Sequence, residues 1–139
     1  EKCGALLATS LPARGLFDDK PYSIGVASQT AVELFAKADL VVAIGASLTH
    51  YTVDGGGLFP HAWVAQIDEN PVGLRHGLKA ADIYVRADAR LGVEAVTAQL
   101  DVPARADIRS PALARRIAET PPTARRSTCR ACSRTARAR

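Results

Sequence analysis

Short apolar runs alternate with helical periodicities along the first hundred residues. Residues 5–9, 40–44, 63–67 and 83–85 are runs of mainly apolar residues with almost no polar interruption, as expected of strands buried on both faces of a sheet. Over residues 31–38 and 89–100, apolar residues recur at intervals of three and four, which predicts helices with one buried face. This alternation predicts an α/β fold in which a doubly wound parallel sheet carries helices on both faces.

Three helix starts can be read from local capping patterns. Thr30 followed by Glu33 has the spacing of a capping box, in which each residue satisfies an exposed backbone N–H group of the first turn. Asn70 before Pro71 predicts another start, because proline has no N–H group to leave unpaired in a first turn. Asp88 precedes the last periodic segment and is predicted to cap it.

The C-terminal quarter of the chain departs from this pattern. After Ile117 the sequence contains no Leu, Ile, Val, Phe, Tyr or Trp, so this segment cannot bury enough apolar surface to offset the entropy of ordering. We therefore predict a folded domain over residues 1–103 and a low-complexity, disordered tail rich in Arg and Ala over residues 104–139.

The net charge of +4 conceals two segments of opposite character. Residues 1–103 carry eight basic and twelve acidic side chains, whereas residues 104–139 carry ten basic and two acidic ones. Nucleic-acid binding would depend on the tail alone, and no aromatic residue accompanies its arginines there. Nucleic-acid binding through the tail is therefore a second alternative function, although nucleic acid is not an expected partner.

Composition also indicates in which cellular compartment the protein is expected. No apolar run approaches the roughly 20 residues of a membrane helix, so no membrane association is expected. Three cysteines in a chain of this length do not form a disulfide framework, which favours a reducing cytoplasm. Because the chain contains no Met, its first residue is expected to be an internal point of a longer protein.

Four segments, in order, resemble the central domain of thiamine-diphosphate-dependent enzymes of the acetolactate synthase and benzoylformate decarboxylase kind. Residues 11–21 are similar to its glycine-containing loop with an acidic pair and a proline, and residues 38–46 (ADLVVAIGA) resemble its "ADLVIAIGA" strand. Residues 66–71 (QIDENP) resemble its "IDIDP" strand end, and residues 86–89 (RADA) stand where it has "GDA". The resemblance covers about residues 1–100.

The resemblance implies a Rossmann-like fold of the DHS-like NAD/FAD-binding type, with its first strand and helix absent ahead of Glu1. Losing that strand would expose an unpaired sheet edge and apolar surface. In the family, thiamine diphosphate and Mg²⁺ lie between the two other domains. We therefore expect a mainly structural domain that is inactive alone and has no catalytic or metal-binding residues. Its expected partners are the other domains or subunits of a parent enzyme, a 2-keto acid decarboxylase or acetolactate synthase-like enzyme that forms a homo-oligomer.

One candidate binding site follows from strand direction. Ligands of open parallel sheets bind beyond the carboxyl ends of the strands, where turns present N–H groups and carboxylates. A stand-alone FAD- or NAD-binding domain is thus an alternative function. The acetolactate synthase pattern has an Arg after "GA" where this chain has Ser47, which weakens the case for FAD. The predicted cofactor-binding residues are Gly45, Ala46, Ser47, Asp68, Glu69 and Asn70. The alternative explanation is that these residues only form a turn and cap a helix.

Overall fold

The computed structural model describes residues 2–26, 32–70, 81–101 and 109–119. The predicted α/β fold with parallel strands is confirmed. Predictions for Thr30, Pro71 and residues 120–139 lie outside the described residues. In chain order the elements are β1 (Leu7–Thr9), β2 (Ser23–Val26), α1 (Val32–Phe35), β3 (Leu40–Ile44), β4 (Trp63–Asp68), β5 (Ile83–Arg86), α2 (Ala89–Gln99) and α3 (Pro111–Glu119).

Strands β3, β4 and β5 form a parallel three-stranded sheet in that order. The register pairs Leu40 with Trp63 and Ile44 with Ile67. Strand β3 spans the five residues that its apolar run predicted, and β4 and β5 each continue one residue beyond their predicted ends. Runs of mainly apolar residues therefore located these strands closely.

A separate parallel pair is formed by β1 and β2. The sequence analysis predicted no strand at β2, which closely follows Pro21 and contains Gly25. All four residues of β2 are nevertheless buried, and Gly25 has a φ of +73°, which glycine adopts without strain. The described strands thus form two parallel sheets, where one continuous sheet was expected.

Both sheets contribute to connected hydrophobic clusters. The first cluster contains Ile24 of β2 and Phe35 of α1, and Val41 of β3 packs against it. Val41 also packs against the second cluster, which lies under β3 and β4. The first cluster consists of Ile24, Phe35, Leu58 and Ile117, and the second of Ala43, Leu48, Val53 and Val64.

Helix α3 contradicts the predicted disorder of residues 104–139 over the nine residues that it spans. Ile117 is only 8% exposed and belongs to the first cluster. Just before the helix, the Arg109 guanidinium lies 4.7 Å from the centroid of the Tyr22 ring and donates a hydrogen bond to the carbonyl of Ala5 at 2.6 Å. Residues 109–119 therefore belong to the folded body, because Ile117 and the partly buried Leu113 dock the helix on the first cluster.

The predicted cap of α2 is confirmed, since the Asp88 carboxylate accepts a hydrogen bond from the backbone N–H of Leu91 at 3.0 Å. An Asp88→Ala variant is expected to lose about 1 kcal/mol of unfolding free energy, because that N–H loses its partner. Urea denaturation followed by circular dichroism measures the loss. The exposed Asp101 lies beyond the helix, and Asp101→Ala is expected to change stability by less than about 0.5 kcal/mol. Equal effects of the two substitutions would contradict the capping role.

Candidate functional site

The predicted site lies at the carboxyl ends of β3 and β4, which the parallel register brings to the same edge of the sheet. The Gly45 N–H donates a hydrogen bond to the Ile67 carbonyl at 2.9 Å. This bond continues the β3–β4 ladder one residue past the end of β3 and holds the Gly45 turn beside Asp68. The structure therefore brings the two predicted groups of residues together.

The Gly45 turn packs closely against the start of α2. Gly45 has a φ of +57°, and a Cβ atom built there would lie 3.3 Å from the Cβ of Ala89. That spacing is tighter than most real Cβ contacts, and a positive φ disfavours any residue with a side chain. Glycine at position 45 thus lets the first turn of α2 approach the end of β3.

A buried glutamine holds the backbone of the next residue. Gln66 is 2% exposed, and its side-chain Nε2 donates a hydrogen bond to the Ala46 carbonyl at 2.9 Å. Burying an amide without a partner costs roughly 1–3 kcal/mol, so this bond ties the position of the turn to the interior of β4. Gln66 is a residue that the sequence analysis missed, although a polar side chain inside an apolar strand was a usable signal.

Ser47 opens a loop that is packed against the sheet. Its side chain is exposed, whereas its carbonyl accepts hydrogen bonds from the Thr52 hydroxyl at 2.8 Å and from the Thr49 N–H at 2.7 Å. Leu48 and Val53 are 5% and 4% exposed and anchor the loop in the second cluster. The Ser47 carbonyl is therefore engaged within the loop, while the residue itself is exposed.

The acidic strand end forms a local turn. The Asp68 carboxylate accepts a hydrogen bond from the Asn70 N–H at 2.8 Å, and the Tyr84 hydroxyl donates to the Asp68 carbonyl at 2.6 Å. Glu69 and Asn70 are exposed. The Asp68 carboxylate keeps acceptor capacity beyond this single bond, so the edge could accept hydrogen bonds from ligand hydroxyl groups. The predicted capping role of Asn70 involves residues outside the described ranges.

These residues do not fit thiamine diphosphate with Mg²⁺. Magnesium in such sites is held by carboxylate or other oxygen ligands together with the phosphates of the bound molecule. Within residues 2–26, 32–70, 81–101 and 109–119, no group of three or more His, Cys, Asp or Glu side chains could hold a metal ion. We therefore derive no catalytic step through that cofactor at this edge.

Comparison with known proteins gave one result that bears on function. The sequence profile of the family described as "Thiamine pyrophosphate enzyme, central domain" matches residues 1–96. A search of curated proteins and a search of solved structures returned no significant match to the chain. In the described part of the chain, no helix has both the length and the apolar character needed to cross a membrane.

Proposed function

Because this chain belongs to the thiamine pyrophosphate enzyme central-domain family, we propose that it serves as a mainly structural domain and does not catalyse carbon–carbon chemistry by itself. The family's cofactor is thiamine diphosphate, and a domain of this family associates with other domains or subunits. The proposed parent is a 2-keto acid decarboxylase or an acetolactate synthase-like enzyme, assembled as a homo-oligomer.

One observation supports the structural role more than any other. Three positions at the carboxyl edge are engaged in contacts within the chain: Gly45 accommodates Ala89, Gln66 holds Ala46, and Asp68 closes a turn onto Asn70. Each contact orders the connections among β3, β4 and α2. Residues engaged in these contacts hold the backbone in position, as expected of a mainly structural domain.

Titration calorimetry with thiamine diphosphate and MgCl₂ tests the proposal on the 139-residue chain. We expect no saturable heat, because a mainly structural domain holds no thiamine diphosphate of its own and the described residues contain no cluster of three or more His, Cys, Asp or Glu side chains for a metal ion. Assays with pyruvate and with benzoylformate are expected to give no product above a protein-free control. Saturable, Mg²⁺-dependent binding or turnover of either 2-keto acid would show that the chain contains a cofactor site of its own.

The alternative, a nucleotide-binding domain, has the Asp68 carboxylate in its favour, because this group retains acceptor capacity at the edge where parallel sheets bind ligands. The structural role predicts no flavin absorbance after incubation with FAD and desalting. If flavin is retained, and Asp68→Asn releases it while the exposed Asp101→Asn does not, the nucleotide-binding alternative replaces the structural one. The binding role of Gly45, Ala46, Ser47, Asp68, Glu69 and Asn70 remains a prediction that this experiment tests.

A further inference from the structure

The loop between β3 and β4 contains the one Asp-Gly pair of the sequence. Asp54 precedes Gly55, whereas every other aspartate precedes a residue with a side chain, and the single asparagine, Asn70, precedes a proline. The backbone nitrogen of the next residue can attack the carboxyl carbon of an aspartate, and glycine leaves this approach unhindered because it has no Cβ. A proline nitrogen carries no hydrogen to lose. The sequence therefore singles out Asp54 for this reaction.

The conformation of the loop favours this pair of residues. Asp54 has a φ of +48° and Gly55 a φ of +64°, both in the left-handed region, which glycine adopts without strain and aspartate tolerates better than most residues. A Cβ atom built at Gly55 would lie 3.2 Å from Cε1 of His50. The backbone turn and the His50 ring thus both select glycine after Asp54, so the fold itself maintains the reactive pair.

The carboxylate of this pair is available for reaction. Asp54 is exposed, and its side chain makes no hydrogen bond or ion pair in the part of the chain that the structure describes. By contrast, the carboxylates of Asp68, Asp82 and Asp88 each accept a backbone N–H at 2.8–3.0 Å. An exposed side chain without such bonds changes rotamer rapidly, so the carboxyl carbon of Asp54 can reach the nitrogen of Gly55.

One backbone hydrogen bond restrains the attacking nitrogen. The Gly55 N–H donates to the His50 carbonyl at 2.8 Å, so this bond must open before the nitrogen can react. Exposed backbone hydrogen bonds of loops open at a small cost in free energy, and Gly55 is exposed. Val53 and Leu58, which are 4% and 6% exposed, hold the two sides of the turn. The nitrogen therefore becomes available while the rest of the chain stays folded.

We propose that Asp54 and Gly55 form a self-modification site, at which the folded chain isomerises to isoaspartate with water as the only co-reactant. The Gly55 nitrogen bonds to Cγ of Asp54, and the carboxyl OH leaves with the N–H hydrogen as water, which closes a succinimide ring. A second water then adds to the former backbone carbonyl carbon of Asp54 and breaks its bond to the nitrogen. The product has an unchanged mass and a free α-carboxylate. Nothing is oxidised or reduced.

The modification opens the turn, because the main chain then runs through Cγ and is longer by one methylene group. In the unmodified turn the Gly57 N–H donates to the Asp54 carbonyl at 3.0 Å and the Gly56 N–H donates to the Val53 carbonyl at 2.9 Å. The first of these acceptors is lost on isomerisation. The extra methylene lies between Val53 of the second cluster and Leu58 of the first, so the modified chain unfolds at a lower urea concentration. This site goes beyond the structural role proposed above.

The test incubates the purified 139-residue chain at physiological temperature in mildly acidic buffer, where the neutral carboxyl group loses OH most readily. Digestion with endoproteinase Asp-N, which does not cleave before isoaspartate, and electron-transfer mass spectrometry locate the product. Its fraction at position 54 is expected to exceed that at the exposed Asp101 at least tenfold, because the β-branched valine after Asp101 hinders ring closure. Asp54→Glu is expected to remove the product, since its ring would need a sixth member. Asp101→Glu, the matched control, is expected to leave the product unchanged.

Gly92→Val distinguishes reaction in the folded loop from reaction in the unfolded chain. A Cβ atom built at Gly92 would lie 2.5 Å from Cγ2 of Ile67, so this variant raises the unfolded fraction at a position remote from the loop in sequence. A reaction of the folded loop is expected to keep its rate within about twofold, because its rate does not follow the unfolded population. A rate that rises with the unfolded fraction assigns the reaction to the unfolded chain and overturns the proposal.

Absence of isoaspartate at position 54, or equal amounts at positions 54 and 101, also overturns the site. Asp54→Asn gives an independent test if Asp54→Glu does not fold, because asparagine tolerates the left-handed region. It closes the same ring by releasing ammonia, and its expected conversion is detected as the mass gain of an amide-to-acid change; no conversion contradicts the proposal. An unchanged urea midpoint of the modified chain, isolated by hydrophobic-interaction chromatography, contradicts the opening of the turn. These results do not depend on whether the chain binds thiamine diphosphate.

Discussion

A Gly92→Val variant is expected to unfold with a free energy about 3 kcal/mol lower than that of the unchanged chain. A Cβ atom built at Gly92 would lie 2.5 Å from Cγ2 of Ile67, a separation that real Cβ contacts do not show. Ile67 is 4% exposed in the middle sheet strand, so its methyl group has little space into which to move. Helix α2 must shift away from β4, and the Gly45 turn that packs against Ala89 must shift with it.

Urea denaturation followed by circular dichroism at 222 nm measures this effect. Ala95→Val places the same side chain at an exposed position of the same helix and reports the helix-propensity cost alone, about 0.5 kcal/mol. Ile67→Ala in the Gly92→Val background removes the opposing methyl group. We expect a favourable coupling of about 1–2 kcal/mol between the two substitutions. Additive effects would mean that the two side chains do not meet.

An Ile117→Ala variant is expected to lose about 3 kcal/mol of unfolding free energy. Ile117 is 8% exposed among Ile24, Phe35 and Leu58, and truncation removes buried methyl groups and leaves a cavity between α3 and the sheet. If residues 104–139 were a disordered tail, the same substitution would have no effect. The variant thus distinguishes a docked helix from a tail.

Arg115→Ala is the control, because Arg115 is exposed on the same helix and its loss is expected to change stability by less than about 0.5 kcal/mol. Truncation after residue 103 provides a second measurement. It removes α3 and the Arg109 contacts with Tyr22 and Ala5, so the shortened chain is expected to unfold at lower urea concentration. An unchanged midpoint in both experiments would restore the original prediction of disorder.

The sequence predicted β3 but not β2, and the difference has a physical reason. Strand β3 reads as five apolar residues in succession, and that pattern is visible without knowledge of any partner. Strand β2 contains Ser23 and Gly25 and becomes a strand through its pairing with β1. Its burial comes from neighbours remote in the chain, so no local pattern identifies it.

The candidate site was predicted only in part for a related reason. Strand direction placed Gly45 and Asp68 at the same edge, and the ladder bond between Gly45 and Ile67 confirms that placement. The contacts of Gln66 with Ala46 and of Tyr84 with Asp68 join different strands. Such contacts depend on register, which the residues of one segment do not specify.

The sequence by itself determined the parallel strands β3, β4 and β5, the Asp88 cap and the family to which the chain belongs. The strands and the cap depend on residues close together in the chain, and the family is evident from several short segments in a fixed order over residues 1–96. Only the tertiary structure decided three other features: the division into two sheets, the docking of α3 through Ile117, and the use of Gly45 and Gln66 to hold the sheet edge. Each of these depends on which distant surfaces meet. Burial and hydrogen bonding between distant segments stabilise such contacts, and neither produces a periodic pattern of residues within a single segment.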